Sequence, residues 1–281
     1  MSIAGSDSGG GAGIQADLKA FAACGVHGMT AITAITAQNT VAVSSVHHVP
    51  APVIEAQVRA VSEDIGLDAV KIGMLGTVAT IHAVCRALER HATNVPVVLD
   101  PVMVSESGSA LLEPEAREAL VRELLPRVTV TTPNLPEAAA IVGGDAAAIV
   151  GGDAAAVVSG EARTGAGHRQ DPRWLAREIG RLGVGAVIVT GGHREVATDV
   201  LFDGHEIVEL EGPRHPGGSA HGSGCTHSSV LAARLAHGDS LIVAARFARR
   251  VAGLAVRDGL DSIGAGPGPV DVIGVRSPRF S

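Results

Sequence analysis

The 281-residue chain has no tyrosine and a single tryptophan, Trp174, and aromatic residues make up only 2% of it. So little ring surface offers no platform on which bases could stack, which argues against a single-stranded nucleic-acid binder. Positive charge is scarce as well. The formal net charge is −7, and only two residues, Lys19 and Lys71, are lysines. A net acidic chain is not built to hold a polyanion, and two lysines isolated among arginines invite attention. No apolar run reaches about 18 residues, so no membrane span is expected. The opening MSIAGSDSGG lacks the basic and apolar regions of a secretory signal. The three cysteines, Cys24, Cys85 and Cys225, are an odd number without metal-ligand spacing. A reduced, cytoplasmic protein without a disulfide framework is the expectation.

What is present is aliphatic. Apolar residues reach 46% of the chain, enough for a sizeable core. Short apolar runs at Ile32–Ala37, Ala69–Ile72, Val95–Leu99, Val128–Val130 and Ala186–Val189 read as buried strands. Between and after them, Ile14–Ala23, Pro52–Ile65, Val78–Arg90, Pro114–Leu125, Trp174–Leu182, Thr226–Ala236 and Leu241–Val256 read as helices. Such alternation predicts an α/β fold with a mostly parallel sheet covered on both faces. Val196–Phe202 and Glu206–Leu210, joined around Asp203-Gly204, read as a β-hairpin. No Pro/Ser-rich linker divides the chain, so residues 1–281 are expected to form one domain. Within it, the octapeptide AAIVGGDA at Ala139–Ala146 recurs at Ala147–Ala154 and more loosely at Ala155–Ala162. That period is too short for a solenoid. The segment 139–172 is therefore expected to be a variable repeat and loop, and 259–281 an irregular tail.

The most informative stretch is His221-Gly222-Ser223-Gly224-Cys225-Thr226, which runs directly into a helix. Glycines 222 and 224 permit a tight turn and leave backbone N–H groups uncovered. A helix start adds unpaired donors and the positive end of a dipole, so the stretch suits an oxyanion or phosphate. A thiol placed there is expected to have a lowered pKa. Thiol and anion site together suggest phosphoryl transfer to a bound hydroxyl. The competing reading is a plain glycine loop before a helix.

Other strand ends carry polar residues where open α/β sheets bind ligands. Residues 3–17 read as strand, glycine-rich turn and helix, without the Lys-Ser/Thr of a Walker A loop. Asp17 falls about one turn into that helix, where a charge is expected to face water or a ligand. Gln38 offers both donor and acceptor, as a heteroaromatic ring requires. Asp100 and Glu137 follow buried strands and are candidates for a Mg²⁺–phosphate network. Glu137 reads equally well as a first-turn acid beside a helix dipole.

Seven motifs then occur in order: AGSDSGGGAGIQADLK (4–19), TAQNT (36–40), KIGML (71–75), LDPVM (99–103), TPNLPEA (132–138), GGH (191–193) and HGSGCT (221–226). Together they make the chain closely resemble the hydroxymethylpyrimidine/phosphomethylpyrimidine kinases of thiamin biosynthesis, in the ribokinase-like superfamily. The resemblance implies a three-layer α/β/α fold with a mostly parallel central sheet. It implies ATP- and Mg²⁺-dependent phosphorylation of the hydroxymethyl group of 4-amino-5-hydroxymethyl-2-methylpyrimidine, then of the monophosphate. It further implies that Asp17 and Gln38 hydrogen-bond the aminopyrimidine and that Gly5, Thr36, Met74 and Val102 line its pocket. Asn134, Glu137, Thr190 and Gly192 would serve the nucleotide, and Asp100 and Glu137 the metal. Gly222, Ser223 and Gly224 would form the anion hole, with Cys225 as base. A homodimer is implied as well.

Two positions depart from the family pattern. Ser105-Glu106-Ser107-Gly108 carries an acid, and Thr190 stands before GGH, where many members have lysine. Two alternatives are kept: a pyridoxal kinase of the same superfamily, because pyridoxal also presents a hydroxymethyl group on a nitrogen heteroaromatic ring, and a catalytically silent pyrimidine-binding protein, which these two departures support.

Overall fold

The computed structural model describes residues 1–143, 171–191 and 198–276. Its centre is a nine-stranded sheet in the order β3-β2-β1-β4-β5-β6-β7-β8-β9. The strands are β1 (Ser2–Asp7), β2 (Thr30–Gln38), β3 (Val43–His48), β4 (Val70–Ile72), β5 (Val97–Leu99), β6 (Val130–Thr131), β7 (Ala186–Val189), β8 (Asp199–Phe202) and β9 (Ile207–Leu210). From β2 through β7 neighbouring strands run parallel, and β3, β8 and β9 join antiparallel.

The helices are α1 (Gly13–Ala23), α2 (Ala51–Asp64), α3 (Val78–His91), α4 (Pro114–Ala119), α5 (Leu135–Ile141), α6 (Pro172–Gly180), α7 (Ser223–Ala236) and α8 (Leu241–Arg257). The sheet divides them into two layers. Val97, Leu99, Val187 and Val189 point to a core shared with α2 to α6. Their neighbours Val98, Ala186 and Ile188 point to a second core with α1, α7 and α8. This period-2 alternation, apolar on both sides, explains why these strands read as unbroken apolar runs. The result is the expected three-layer α/β/α architecture. Among the described residues no helix is long and apolar enough to cross a membrane.

β1 and β4 are adjacent, yet their crossovers leave in opposite directions: α1 leads to β2 on one side, α3 to β5 on the other. α1 and α3 also lie on opposite faces, as right-handed crossovers running apart require. A crevice opens at the carboxyl ends of the strands at such a switch point.

Three readings need correction. The edge strand β3 was not foreseen, because its sequence VSSVHH is half exposed and has no apolar run. The helix expected over Pro114–Leu125 holds α-geometry only to Ala119, then passes through a π turn at Leu120–Leu124 and a tighter turn at Leu125–Arg127. Pro126, which lacks an N–H, closes it. The irregular tail is tied down as far as 276. The His221 N–H donates to the Gly268 carbonyl, and the Val270 N–H to the His221 carbonyl. The octapeptide repeat from residue 144 onward, the start of the expected hairpin at Val196 and the end of the tail lie outside the described residues.

Candidate active site

Two loops meet over the switch point. β1 ends in Asp7, whose carboxylate organises the glycine turn after it. Oδ1 accepts the Gly9 N–H at 2.8 Å, and Oδ2 accepts the N–H groups of Gly11 and Ala12 at 3.0 and 2.8 Å. His221 Nε2 lies 3.2 Å from the same Oδ2. Burial pushes the Asp7 carboxyl up, but the His221 hydrogen bond and the backbone donors outweigh it, so the group stays below its ordinary range. The second loop lies directly on the first. Gly222 has φ +82°, and a Cβ there would sit 1.9 Å from the Gly11 carbonyl oxygen. A Cβ on Gly11 would sit 2.1 Å from the His221 ring. Only glycine meets both demands.

Gly222 is the N-cap of α7, and no side chain caps that helix. The start of α7 lines a cleft of about 390 Å³ with Gly222, Ser223, Gly224 and Cys225, and the first-turn N–H groups of such a helix have no partner within it. The cleft also gathers Gly5, Thr36, Gln38, Met74 and Val102 on one side and Asn134, Glu137 and Thr190 on the other. Thr36 Oγ1 lies 2.9 Å from the Ser6 carbonyl and 3.2 Å from Gln38 Oε1. The Gln38 amide NH₂ thereby remains for a ligand. Gly192 lies outside the described residues. Glu106 does reach the cleft wall.

Asp17 is placed elsewhere than expected. It is fully buried on the inner side of α1 and is not part of the cleft wall. Lys71 Nζ donates to its Oδ1 at 2.8 Å, as does Ser229 Oγ at 2.7 Å, and Ser2 Oγ donates to Oδ2 at 2.6 Å. A carboxylate can leave water at such a position because a buried ammonium meets it. Lys71 is itself fully buried and lies 4.0 Å from Asp100 Oδ2. Burial works against its charge, but Asp17, Cys225 and Asp100 more than compensate, so the ammonium is held above its ordinary range.

The Cys225 thiol also departs from expectation. Burial pushes it up to about 12; Lys71 and the Gly13 N–H oppose the rise, and Asp100 and Asp17 add to it. Desolvation and two carboxylates thus outweigh the groups that favour the thiolate.

Asp100 and Glu137 form the remaining charged wall. Ser228 Oγ donates to Asp100 Oδ2 at 3.1 Å. Burial raises Asp100, with Lys71 opposing and Asp17 assisting. Glu137 and Asn134 make a reciprocal cap on α5: Asn134 Oδ1 accepts the Glu137 N–H at 2.9 Å, and Glu137 Oε2 accepts the Asn134 N–H at 3.0 Å. The helix-cap reading of Glu137 is therefore realised, yet the carboxyl is also buried and faces Asp100. Burial, then Asp100, push it up to about 8, against the N–H groups of Asn134 and Met103. Two buried carboxylates that resist ionisation together suit a divalent cation. Among the described residues no cluster of three His, Cys, Asp or Glu forms a complete cage. A magnesium ion would have to complete its shell with phosphate oxygens and water, as that ion commonly does.

Sequence reasoning missed Asp7, Asp199, His227 and Arg249, which also line the cleft. Lys71 was singled out for its rarity and as part of the KIGML motif, without a role.

Solved structures that share this arrangement are small-molecule kinases of the ribokinase-like class. The pyridoxal kinase of Bacillus subtilis, in complex with ADP, matches with a TM-score of 0.81 at 35% identity, over 99% of this chain and 98% of that one. A phosphomethylpyrimidine kinase from Clostridium difficile matches with a TM-score of 0.70 at 36% identity, over 89% of this chain and 95% of that one. Sequence narrows the class. The family described as phosphomethylpyrimidine kinase matches residues 7–271. The hydroxymethylpyrimidine/phosphomethylpyrimidine kinase of Rhizobium meliloti is 47% identical over 274 residues, 96% of this chain and 95% of the relative. The chain belongs to the phosphomethylpyrimidine kinase family.

Two predictions follow from the charged floor. Lys71→Met leaves Asp17 buried without a cation and should cost roughly 3–5 kcal/mol in chemical denaturation. Adding Asp17→Asn should recover much of that loss; a double variant no more stable than the single one would contradict the pairing. The second concerns pH. The folded Glu137 carboxyl, at about 8 against an ordinary 4.5, keeps its proton while the unfolded chain loses one. Its contribution to stability therefore falls as pH rises from about 4.5 to 8 and levels off above that. Glu137→Gln should flatten this slope, measured by denaturation at a series of pH values; an unchanged slope would show that Glu137 is not its source.

Proposed function

We propose that the protein transfers the γ-phosphoryl group of ATP to the hydroxymethyl group of 4-amino-5-hydroxymethyl-2-methylpyrimidine and then phosphorylates the monophosphate to the diphosphate. The observation that carries this reading is the uncapped, glycine-led start of α7, opening onto a cleft with a heterocycle-sized wall on one side and paired carboxylates on the other. Membership of the kinase family and likeness to nucleotide-bound neighbours support it.

Phosphoryl transfer asks the protein mainly to position the reactants and to neutralise charge. On this reading Gly5, Thr36, Met74 and Val102 enclose the pyrimidine ring, and the Gln38 amide hydrogen-bonds its edge. The N–H groups of Gly224 and Cys225 hold oxygens of the moving phosphoryl group, fixed in place before reaction. Lys71 supplies a permanent positive charge beneath them. Asp100 and Glu137 would hold Mg²⁺, which when bound offsets phosphate charge, while Asn134 and Thr190 border the nucleotide. Cys225 first gives up its own thiol proton to solvent, and the thiolate Sγ then takes the hydroxyl proton late in the transfer, when the oxygen has begun to bond to phosphorus and has become acidic. Asp100 is one of the charges that raises the thiol, so neutralising that carboxylate favours the thiolate.

The same reading takes residues 1–281 as one kinase domain, working as a cytoplasmic homodimer. A pyridoxal kinase activity is the second reading, favoured by the pyridoxal kinases among the structural neighbours. A silent pyrimidine-binding protein is the third, resting on Glu106 at the cleft wall. Incubation with Mg-ATP and either the pyrimidine or pyridoxal, with products identified by mass spectrometry, separates all three. Cys225→Ala should lower kcat by roughly 10²–10⁴, the usual span of a general base, while pyrimidine affinity is kept. Near-normal kcat in that variant would remove the base role.

A further inference from the structure

α7 divides the cleft. His227 follows Cys225 by two residues, which places the two side chains about 200° apart around the helix axis. Cys225 faces Lys71 and Asp100; His227 faces the other half, where Asp199, Arg249 and Thr190 also line the wall. His227 is only 4% exposed, yet among the described residues neither ring nitrogen has a hydrogen-bond partner. Its Nε2 lies 3.5 Å from Asp199 Oδ2, and Arg249 Nε lies 3.6 Å from the same oxygen. The other Asp199 oxygen accepts the Gly191 N–H at 2.9 Å, which ties this cluster to the turn after β7. Buried polar groups are normally satisfied, so an imidazole left open on a cleft wall points to a ligand that completes it.

We propose that His227, braced by Asp199 and Arg249, contacts the phosphodonor nucleotide, donating a ring N–H to one of its oxygens, and so sets nucleotide affinity. This rests on the kinase reading above. Burial keeps the imidazole below its ordinary range, with Asp199 opposing and Arg249 reinforcing. A neutral ring offers one N–H donor and one lone pair, which suits a phosphate or sugar oxygen beside the Arg249 guanidinium. The role separates the two substrates: His227 serves the donor half of the cleft and leaves the pyrimidine half untouched.

The test is calorimetric binding of a non-hydrolysable ATP analogue, ADP and adenosine to the wild type, His227→Phe and His227→Gln, together with steady-state kinetics. His227→Phe should weaken binding of the analogue about tenfold, the order expected for one lost hydrogen bond, with KM for the pyrimidine unchanged. His227→Gln, which keeps a donor, should recover part of the loss and also covers the case in which the Phe variant does not fold. Loss for the analogue and ADP but not adenosine assigns the contact to phosphate; loss for all three assigns it to the sugar; either supports the proposal. Unchanged nucleotide affinity in a folded variant overturns it, as does equal weakening of pyrimidine binding. A wild type that binds no nucleotide would overturn the kinase reading as well, so the two failures are distinguishable.

Discussion

The charged floor of the cleft is arranged around one buried ion pair. Lys71 comes from β4 and Asp17 from α1, and the serines that complete Asp17 come from β1 and α7. A buried pair of this kind is seldom more stabilising than well-packed apolar residues of similar size. Its value lies in what it fixes. It places a permanent positive charge beneath a helix start, against Asp100, at the point where these four elements and the floor of the cleft converge. Acids outnumber the lysine there: Asp17 and Asp100 share Lys71, and Glu137 faces Asp100. Burial first, and neighbouring carboxylates after it, raise Asp100 and Glu137, and a divalent cation is the simplest species that would relieve both.

The thiol shows how two local rules compete. A helix N-terminus favours a thiolate, and that rule was legible in HGSGCT. Burial and nearby carboxylates disfavour it, and they win in the free protein. Basicity then depends on what occupies the carboxylates.

Much of the fold could be read in advance because the central strands are buried on both faces. Val97-Val98-Leu99 and Ala186–Val189 are continuous apolar runs for that reason, and their neighbours fell into place as helices. β3 escaped because an exposed edge strand has no such signature. The site was legible where backbone does the work, as at Gly222 and Gly224, and where polar residues follow a strand, as at Gln38, Asp100 and Glu137. It was not legible where a side chain's role depends on a partner far along the chain. Asp17 reads as a surface acid until Lys71, 54 residues away, is brought beneath it. Asp199, His227 and Arg249 come from three separate elements and share no local pattern.

The anion hole is held by contacts that side-chain chemistry hardly enters. Gly11 and Gly222 touch through backbone, Asp7 collects N–H groups from one loop and the ring of His221 from the other, and the tail braces His221 on both its backbone groups. Donors fixed this way need no reorganisation when charge develops. On the proposed reading, the wall that would face a heterocycle is built differently, from Gly5, Thr36, Gln38, Met74 and Val102, where one exchanged side chain alters shape or hydrogen bonding without disturbing the hole. A rigid hole beside a replaceable wall accounts for kinases named for pyridoxal and for phosphomethylpyrimidine sharing one architecture with this chain at comparable identity. On that reading the acceptor can change because the loops proposed to hold the phosphoryl group are anchored independently of the wall proposed to recognise the ring.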